Sequence, residues 1–274
     1  MFSGQWINGP TGQRAKGLKE RLPLIFEPLN PILLSFVVSL FFFVFVMLPQ
    51  NASSFNIPEK FEYELTWTGV KAGTATLEIT RTGNDIKIVS TAQSAKWVSV
   101  FYTVDDRVES ILAKKSSLMF LGEPVNYRLR IREGRHRRDK EVIFNSGNKV
   151  TYIDHINKEK HSFDVPSLIF DPLSSFYYLR TLKLVVGEPV YVTMFDSKKV
   201  WNVEVQVLRK EKVTLPTGTV DTILIKPLMK SEGIFYKKGD IYIWLTDDEK
   251  RIPVKLQTKV AIGSINALLV GGRY

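Results

Sequence analysis

The segment Phe61-Glu-Tyr63-Glu-Leu65-Thr-Trp67 alternates apolar and polar side chains, breaks at Gly69 to Gly73, and resumes as Thr74-Ala-Thr-Leu77-Glu-Ile79. Period-two alternation puts one set of side chains on a buried face and the other toward water, and the glycines permit a tight reversal. This predicts an antiparallel hairpin. Toward the C-terminus the same logic predicts strands over Asp85 to Ala92, Tyr102 to Leu112, Val125 to Arg132, Lys140 to Phe144 and Lys149 to Ile153. A second series covers Val190 to Phe195, Val200 to Leu208, Val220 to Ile225, Ile241 to Leu245 and Val254 to Ile262. Gly, Asn, Asp and Ser clusters at close spacing between them favour a mainly β fold: a curved antiparallel sheet, open barrel or sandwich, rather than a parallel α/β fold.

One helix interrupts the series. In Asp171-Pro172-Leu173-Ser-Ser-Phe176-Tyr177-Tyr178-Leu179-Arg180, Asp171 can accept the free amides of a first turn and Pro172 suits the first helical position. A short helix over about 171–182 is expected. It joins two β halves, 55–165 and 185–274.

Toward the N-terminus lies an apolar run, Pro31 to Leu48, preceded by Arg14, Lys16, Lys19 and Arg21 against Glu20 and Glu27. Positive charge before such a run holds residues 1–30 in the cytoplasm and exports the chain beyond it. Residues 31–49 therefore read as a transmembrane anchor or signal segment, and 55–274 as an exported β domain. A retained single-pass inner-membrane anchor is favoured, because about thirty residues before the run exceed an ordinary signal peptide's basic region. Ala52 and Ser54, two apart, keep cleavage open, as does a later translation start near Leu18. The released alternative is a soluble periplasmic protein.

The formal charge is +10 at pH 7, of which +8 lies beyond residue 54. Such a balance favours anionic partners. The chain has no cysteine, which excludes a lipid-modified N-terminus, disulfides and thiol chemistry. There is no nucleophile elbow, phosphate-cradling glycine loop or zinc helix motif, and the three histidines His136, His155 and His161 are spaced unlike metal ligands. No cofactor or metal is expected. Asp247 and Asp248 are paired carboxylates, but a turn accounts for them as well as acid-base chemistry does.

The strongest charge signal is the ribbon Arg128-Leu-Arg130-Ile-Arg132-Glu-Gly134-Arg135-His136-Arg137-Arg138-Asp-Lys140. Strand geometry puts Arg128, Arg130 and Arg132 on one face and Tyr127, Leu129 and Ile131 on the other, with Glu133-Gly134 as the turn. Guanidinium groups in a row, with Arg135, Arg137 and Arg138 beyond the turn, suit an anionic lipid, a glycolipid or an acidic envelope protein. The same geometry also describes a solvated face whose arginines pair with neighbouring acids. Nucleic acid is not an expected partner, since export removes the ribbon from the cytoplasm. The large rings Trp67, Trp97, Phe101, Tyr102, Phe170, Phe176, Tyr177, Trp201, Phe235 and Trp244 either fill the core or line a groove for an acyl chain.

Four stretches carry a resemblance: Tyr63-Glu-Leu-Thr-Trp-Thr-Gly-Val-Lys-Ala-Gly73-Thr-Ala; Asp171 to Arg180; Glu211-Lys-Val-Thr-Leu-Pro-Thr-Gly218-Thr-Val-Asp221-Thr; and Ile243-Trp-Leu-Thr-Asp-Asp-Glu-Lys-Arg-Ile-Pro-Val254. Together, in this order and spacing, they resemble a bacterial family of exported proteins, the domain of unknown function numbered 3108, over roughly residues 58–270. The resemblance implies an antiparallel β domain in the Gram-negative periplasm and transfers no catalytic residue. Its motif positions are Asp171, Arg180, Gly218, Asp221, Trp244, Asp248 and Pro253. Structural roles are expected for them, such as a helix cap at Asp171 and turns at Gly218 and Asp221.

Export, positive charge and aromatic richness together lead to one expectation: a non-enzymatic envelope module binding an amphipathic anionic ligand or an envelope protein. The competing expectations are an envelope hydrolase using Asp171 or the Asp247/Asp248 pair, and a purely structural adaptor.

Overall fold

Residue pairing along the hairpins continues without a break into one sheet. In a computed structural model, which describes residues 56–114, 121–228, 240–259 and 263–274, fourteen strands form a single antiparallel sheet. They are β1 (Glu59–Trp67), β2 (Val70–Thr82), β3 (Asp85–Ser94), β4 (Asp105–Ala113), β5 (Glu123–Glu133), β6 (His136–Asn145), β7 (Lys149–Asp154), β8 (Glu159–Asp164), β9 (Val190–Asp196), β10 (Lys199–Leu215), β11 (Gly218–Leu228), β12 (Ile241–Thr246), β13 (Pro253–Lys259) and β14 (Ser264–Arg273). The expected anchor or signal over 31–49, the basic region before it and Phe235 lie outside the described residues. Among the described residues no helix is long and apolar enough to cross a membrane.

The strand order is β8-β7-β6-β5-β4-β3-β2-β1-β14-β13-β12-β11-β10-β9. Two meanders, β1 to β8 and β9 to β14, are thus sewn together where the first strand pairs with the last, Lys60 opposite Arg273 through Trp67 opposite Ile265. Register shifts at Glu62/Tyr63, Leu65/Thr66, Ile111/Leu112, Val207/Arg209 and Trp244/Leu245 are the bulges that let so wide a sheet bend. Its two edges come back into contact. The rings of Phe163 on β8 and Phe195 on β9 stand 5.4 Å apart, and Lys198 after β9 reaches Glu159 at the start of β8, 2.6 Å away.

Helix α2 (Pro172–Thr181) lies on the inner face between the meanders; the shorter α1 (Lys96–Ser99) precedes it in the chain. Leu179 of α2 packs with Val192, Val205, Ile225 and Ile243 of β9 to β12, while Tyr177 packs with Ile79, Ile88 and Leu112 of β2 to β4. Both halves of the core therefore close on one helix.

Several local expectations change. The strand foreseen from Tyr102 begins at Asp105, because Ser94, Ser99 and Val104 hydrogen-bond across the intervening chain and fold it into α1 and its loop. The β5–β6 turn is Gly134-Arg135, one residue later than expected, with Gly134 at φ 56° in the left-handed region. Strands β8 and β14 and helix α1 had no counterpart in the sequence reading.

Candidate functional site

Asp171 begins α2 as a cap. Its carboxylate accepts the amides of Leu173 and Ser174 at 2.8 and 3.0 Å, and its own amide donates back to Ser174 Oγ at 3.0 Å. Ser110 Oγ on β4 donates to the other carboxylate oxygen at 2.6 Å, so the cap also fixes the helix to the sheet. Burial pushes this carboxyl above its ordinary value of 3.8, against the pull of those hydrogen bonds. At the far end Arg180 holds Glu59 of β1. Pinned at both ends, the helix leaves Leu173, Phe176 and Leu179 facing the bent sheet.

Between them lies a cavity of about 320 Å³. Its walls come from both meanders: Leu77, Val108 and Tyr127 on one side, Val205, Ile243 and Leu256 on the other, with Phe176 of the helix above. The lining is almost wholly apolar, and several of these side chains, including Leu77, Val108, Phe176 and Leu256, are only partly buried. That volume falls at the lower end of the roughly 300–1,000 Å³ of small-molecule pockets. Of the polar groups in the wall, Tyr63 Oη donates to the carbonyl of Pro253 at 2.8 Å, whereas the buried Tyr127 Oη has no hydrogen-bond partner among the described residues.

The arginine ribbon divides. Arg128 is paired, its Nε and Nη2 each 3.1 Å from the Asp139 carboxylate. Arg130 and Arg132 are exposed on the outer face, opposite Asp139 and Arg137 in the register. Arg135 and Arg137 are exposed at the turn, where Arg137 Nη1 donates to the carbonyls of Gly134 and His136 at 2.7 and 2.8 Å. Arg138 instead sits opposite Ile131 on the inward-facing register, half-buried and 3.8 Å from Glu133. The six arginines therefore do not form one patch.

Among the described residues no group of three or more His, Asp or Glu side chains is placed to hold a metal. His155 pairs with Glu141 at 2.9 Å and His161 with Glu159 at 3.4 Å. Asp247 binds Lys210 at 2.6 Å and Arg251 at 3.2 Å, while Asp248 accepts from Thr246 Oγ1 and from the amides of Lys250 and Arg251. These two carboxylates belong to the β12–β13 turn and lie outside the cavity wall.

A family described as "Protein of unknown function (DUF3108)" matches residues 62–270. The chain belongs to the DUF3108 family. Among curated proteins none matches it. Solved structures similar to this DUF3108 chain include a β-barrel-like protein of another domain of unknown function, DUF1849, from Brucella abortus, at 11% identity and a TM-score of 0.48, covering 79% of this chain and 97% of that one. Another, from Bacteroides fragilis and described as exported with a YmcC-like fold, has 9% identity and a TM-score of 0.31, covering 80% and 97%.

In this DUF3108 domain the remaining motif positions lie on β11, β12 and β13 and the turns that join them. Gly218 opens β11 at φ 130°, a backbone that side chains rarely adopt. Asp221 pairs with Lys212 at 2.8 Å, and its carbonyl receives the Asp247 amide at 3.0 Å. The Trp244 indole donates to Glu211, and Pro253 contributes both the carbonyl bound by Tyr63 and part of the cavity wall. Of the large rings expected to fill a core or line a groove that fall among the described residues, only Phe176 lines the cavity; Phe170, Tyr177 and Trp244 are buried, and Trp97, Phe101 and Tyr102 are exposed. Most lining residues that sequence reasoning missed are aliphatic, with Tyr63 and Tyr127 beside them, and apolar positions on a strand read the same whether they fill a core or line a cavity.

Proposed function

We propose that the domain is a non-enzymatic cell-envelope module whose inner cavity holds the apolar chain of an anionic amphipath, a lipid or glycolipid. One observation carries the reading: an apolar space of about 320 Å³ between α2 and the bent sheet, walled by side chains that remain only partly buried. Each methylene moved there from water contributes about 0.8 kcal/mol, so a medium-length chain supplies enough to hold the ligand. The positive balance of the chain supports an anionic head group, and the apolar run over 31–49 supports a periplasmic domain that is tethered to, or released from, the inner membrane. The hydrolase alternative has less support, since Asp171 is consumed as a cap and Asp247 and Asp248 as turn residues.

The unit Ser53–Tyr274, purified from a bacterial periplasm, tests this by native mass spectrometry followed by solvent extraction. A discrete bound mass that releases lipid, and that disappears in a Val108→Trp variant, is expected. A ligand-free mass for the unaltered domain would remove the carrier reading.

A further inference from the structure

The end of the sheet where β1 turns into β2 carries a surface of its own. Three connections meet there and are hydrogen-bonded together. Trp97 Nε1 donates to the Lys71 carbonyl at 3.0 Å, the Ala95 amide to Ala72 at 2.7 Å, and the Gly134 amide to Thr103 at 2.7 Å. The Tyr102 ring lies so close to Gly134 that a Cβ there would come within 2.7 Å of it. The backbone of α1 and its loop is thus fixed from both sides.

From that base a run of apolar side chains points into water. Val100 is 78% and Phe101 84% exposed, more than any other large apolar residue described, and Val70, Trp97 and Tyr102 are each about half exposed. No residue of α1 is buried. Singly exposed apolar residues are ordinary, whereas five on adjoining turns need a partner. Around them stand the exposed cations Lys71, Lys96, Arg132, Arg135 and Arg137. The acids of this end are already engaged in part: Glu64 pairs with Lys71, Glu133 with Arg138, and Asp106 accepts the Arg132 amide, leaving Asp105 exposed beside the loop.

We propose that this end docks on an anionic phospholipid bilayer. Val100 and Phe101 enter the acyl region, the rings of Trp97 and Tyr102 sit at the head-group level, and Lys96, Arg135 and Arg137 meet the lipid phosphates. Apolar tips rimmed by exposed cations match that layered chemistry, apolar below and anionic above. The inference goes beyond the cavity reading and holds whether or not the cavity is filled.

Because the chain contains no cysteine, a single thiol reports on one position. The full chain carrying Phe101→Cys, labelled with an environment-sensitive fluorophore, is reconstituted into vesicles containing phosphatidylglycerol or into vesicles of phosphatidylcholine alone. A control carries the label at Ser146→Cys on the β6–β7 turn. The proposal expects a blue shift and quenching by lipid-borne quenchers for position 101 on the anionic vesicles, little change on the neutral ones, and none at position 146. Adding Arg135→Ser and Arg137→Ser lowers the ratio of docked to undocked protein about fivefold for each charge lost. A label at 101 that stays in water on anionic vesicles, or shifts equally on neutral ones, overturns the proposal. So does a lipid-free shift that grows with protein concentration, which would assign the patch to a second copy of the chain.

Discussion

The guanidinium of Arg180 and the carboxylate of Glu59 face each other through two hydrogen bonds, 2.7 and 3.0 Å, with side chains 0% and 3% exposed. The arginine's other donors reach the carbonyls of Arg251 and Lys250 at 3.0 and 2.9 Å, and its plane lies over the rings of Phe61 and Tyr177. One side chain therefore ties the end of α2 to the first strand and to the β12–β13 turn. Removing either partner strands a charge in an apolar interior, which costs about 3–5 kcal/mol. Arg180→Met and Glu59→Gln should each lower the unfolding free energy in urea by that amount, and the apolar pair Arg180→Met with Glu59→Leu should recover part of the loss. Single variants within about 1 kcal/mol of the unaltered protein would mean that water reaches this pair.

Filling the cavity should separate stability from binding. Ala75 and Ala267 lie in the cavity wall on β2 and β14. Ala75→Phe occupies the space an acyl chain would take, so bound lipid should be lost while stability is kept or rises by about 0.5–2 kcal/mol. Denaturant unfolding and native mass spectrometry on the same sample check both halves. Retained lipid with reduced stability would contradict the assignment of the cavity.

The Asp247 carboxyl is held below its ordinary 3.8, first by the hydrogen bond from Lys210 and then by Arg251. A carboxyl lowered on folding contributes stability that is complete above the unfolded-state value and vanishes as pH falls through the lower folded value. The gap in stability between the unaltered protein and Asp247→Asn should thus be constant near neutrality and close in acid, below about pH 4. A gap that widens in acid would reverse the assigned sign.

Gly73 is the fourth residue of β2, and a Cβ added there would stand 2.2 Å from the Gln93 carbonyl oxygen on β3. Gly73→Ala must push two paired backbones apart and should cost about 1–3 kcal/mol. A thermal melt of this variant beside Gly83→Ala, where no atom lies within 4 Å but φ is +61°, distinguishes steric crowding from backbone strain.

The β class, most strands and the cap of α2 were legible because each is written locally, as alternation in Phe61 to Trp67 or as an Asp-Pro pair before a helical spacing. Strand β8, Glu-Lys-His-Ser-Phe-Asp, carries no such mark, because Phe163 is its one apolar residue and a single residue sets no rhythm. Strand β14 ends in Gly271 and Gly272, which look like a turn until β1 is laid beside them. The site was less legible than the fold. A partly empty wall and a full core use the same aliphatic residues, and the basic ribbon did not show that Arg138 faces inward while Arg135 and Arg137 stand beside Phe101's loop. Those are properties of pairing between distant segments.

The pairing of β1 with β14 sets a condition on how this chain is made. Residues 59–67 emerge early from the ribosome, yet their second partner is the ten-residue strand Ser264–Arg273. Until that last strand exists, β1 and β13 each present a bare row of amide and carbonyl groups, the kind of edge that invites pairing with other chains. A product that stops short near residue 263 would carry two such edges and nearly all the apolar surface, so premature termination should yield aggregates rather than a smaller folded domain. Closure across about two hundred residues also makes this a slow-folding topology, one that benefits from protection while synthesis finishes.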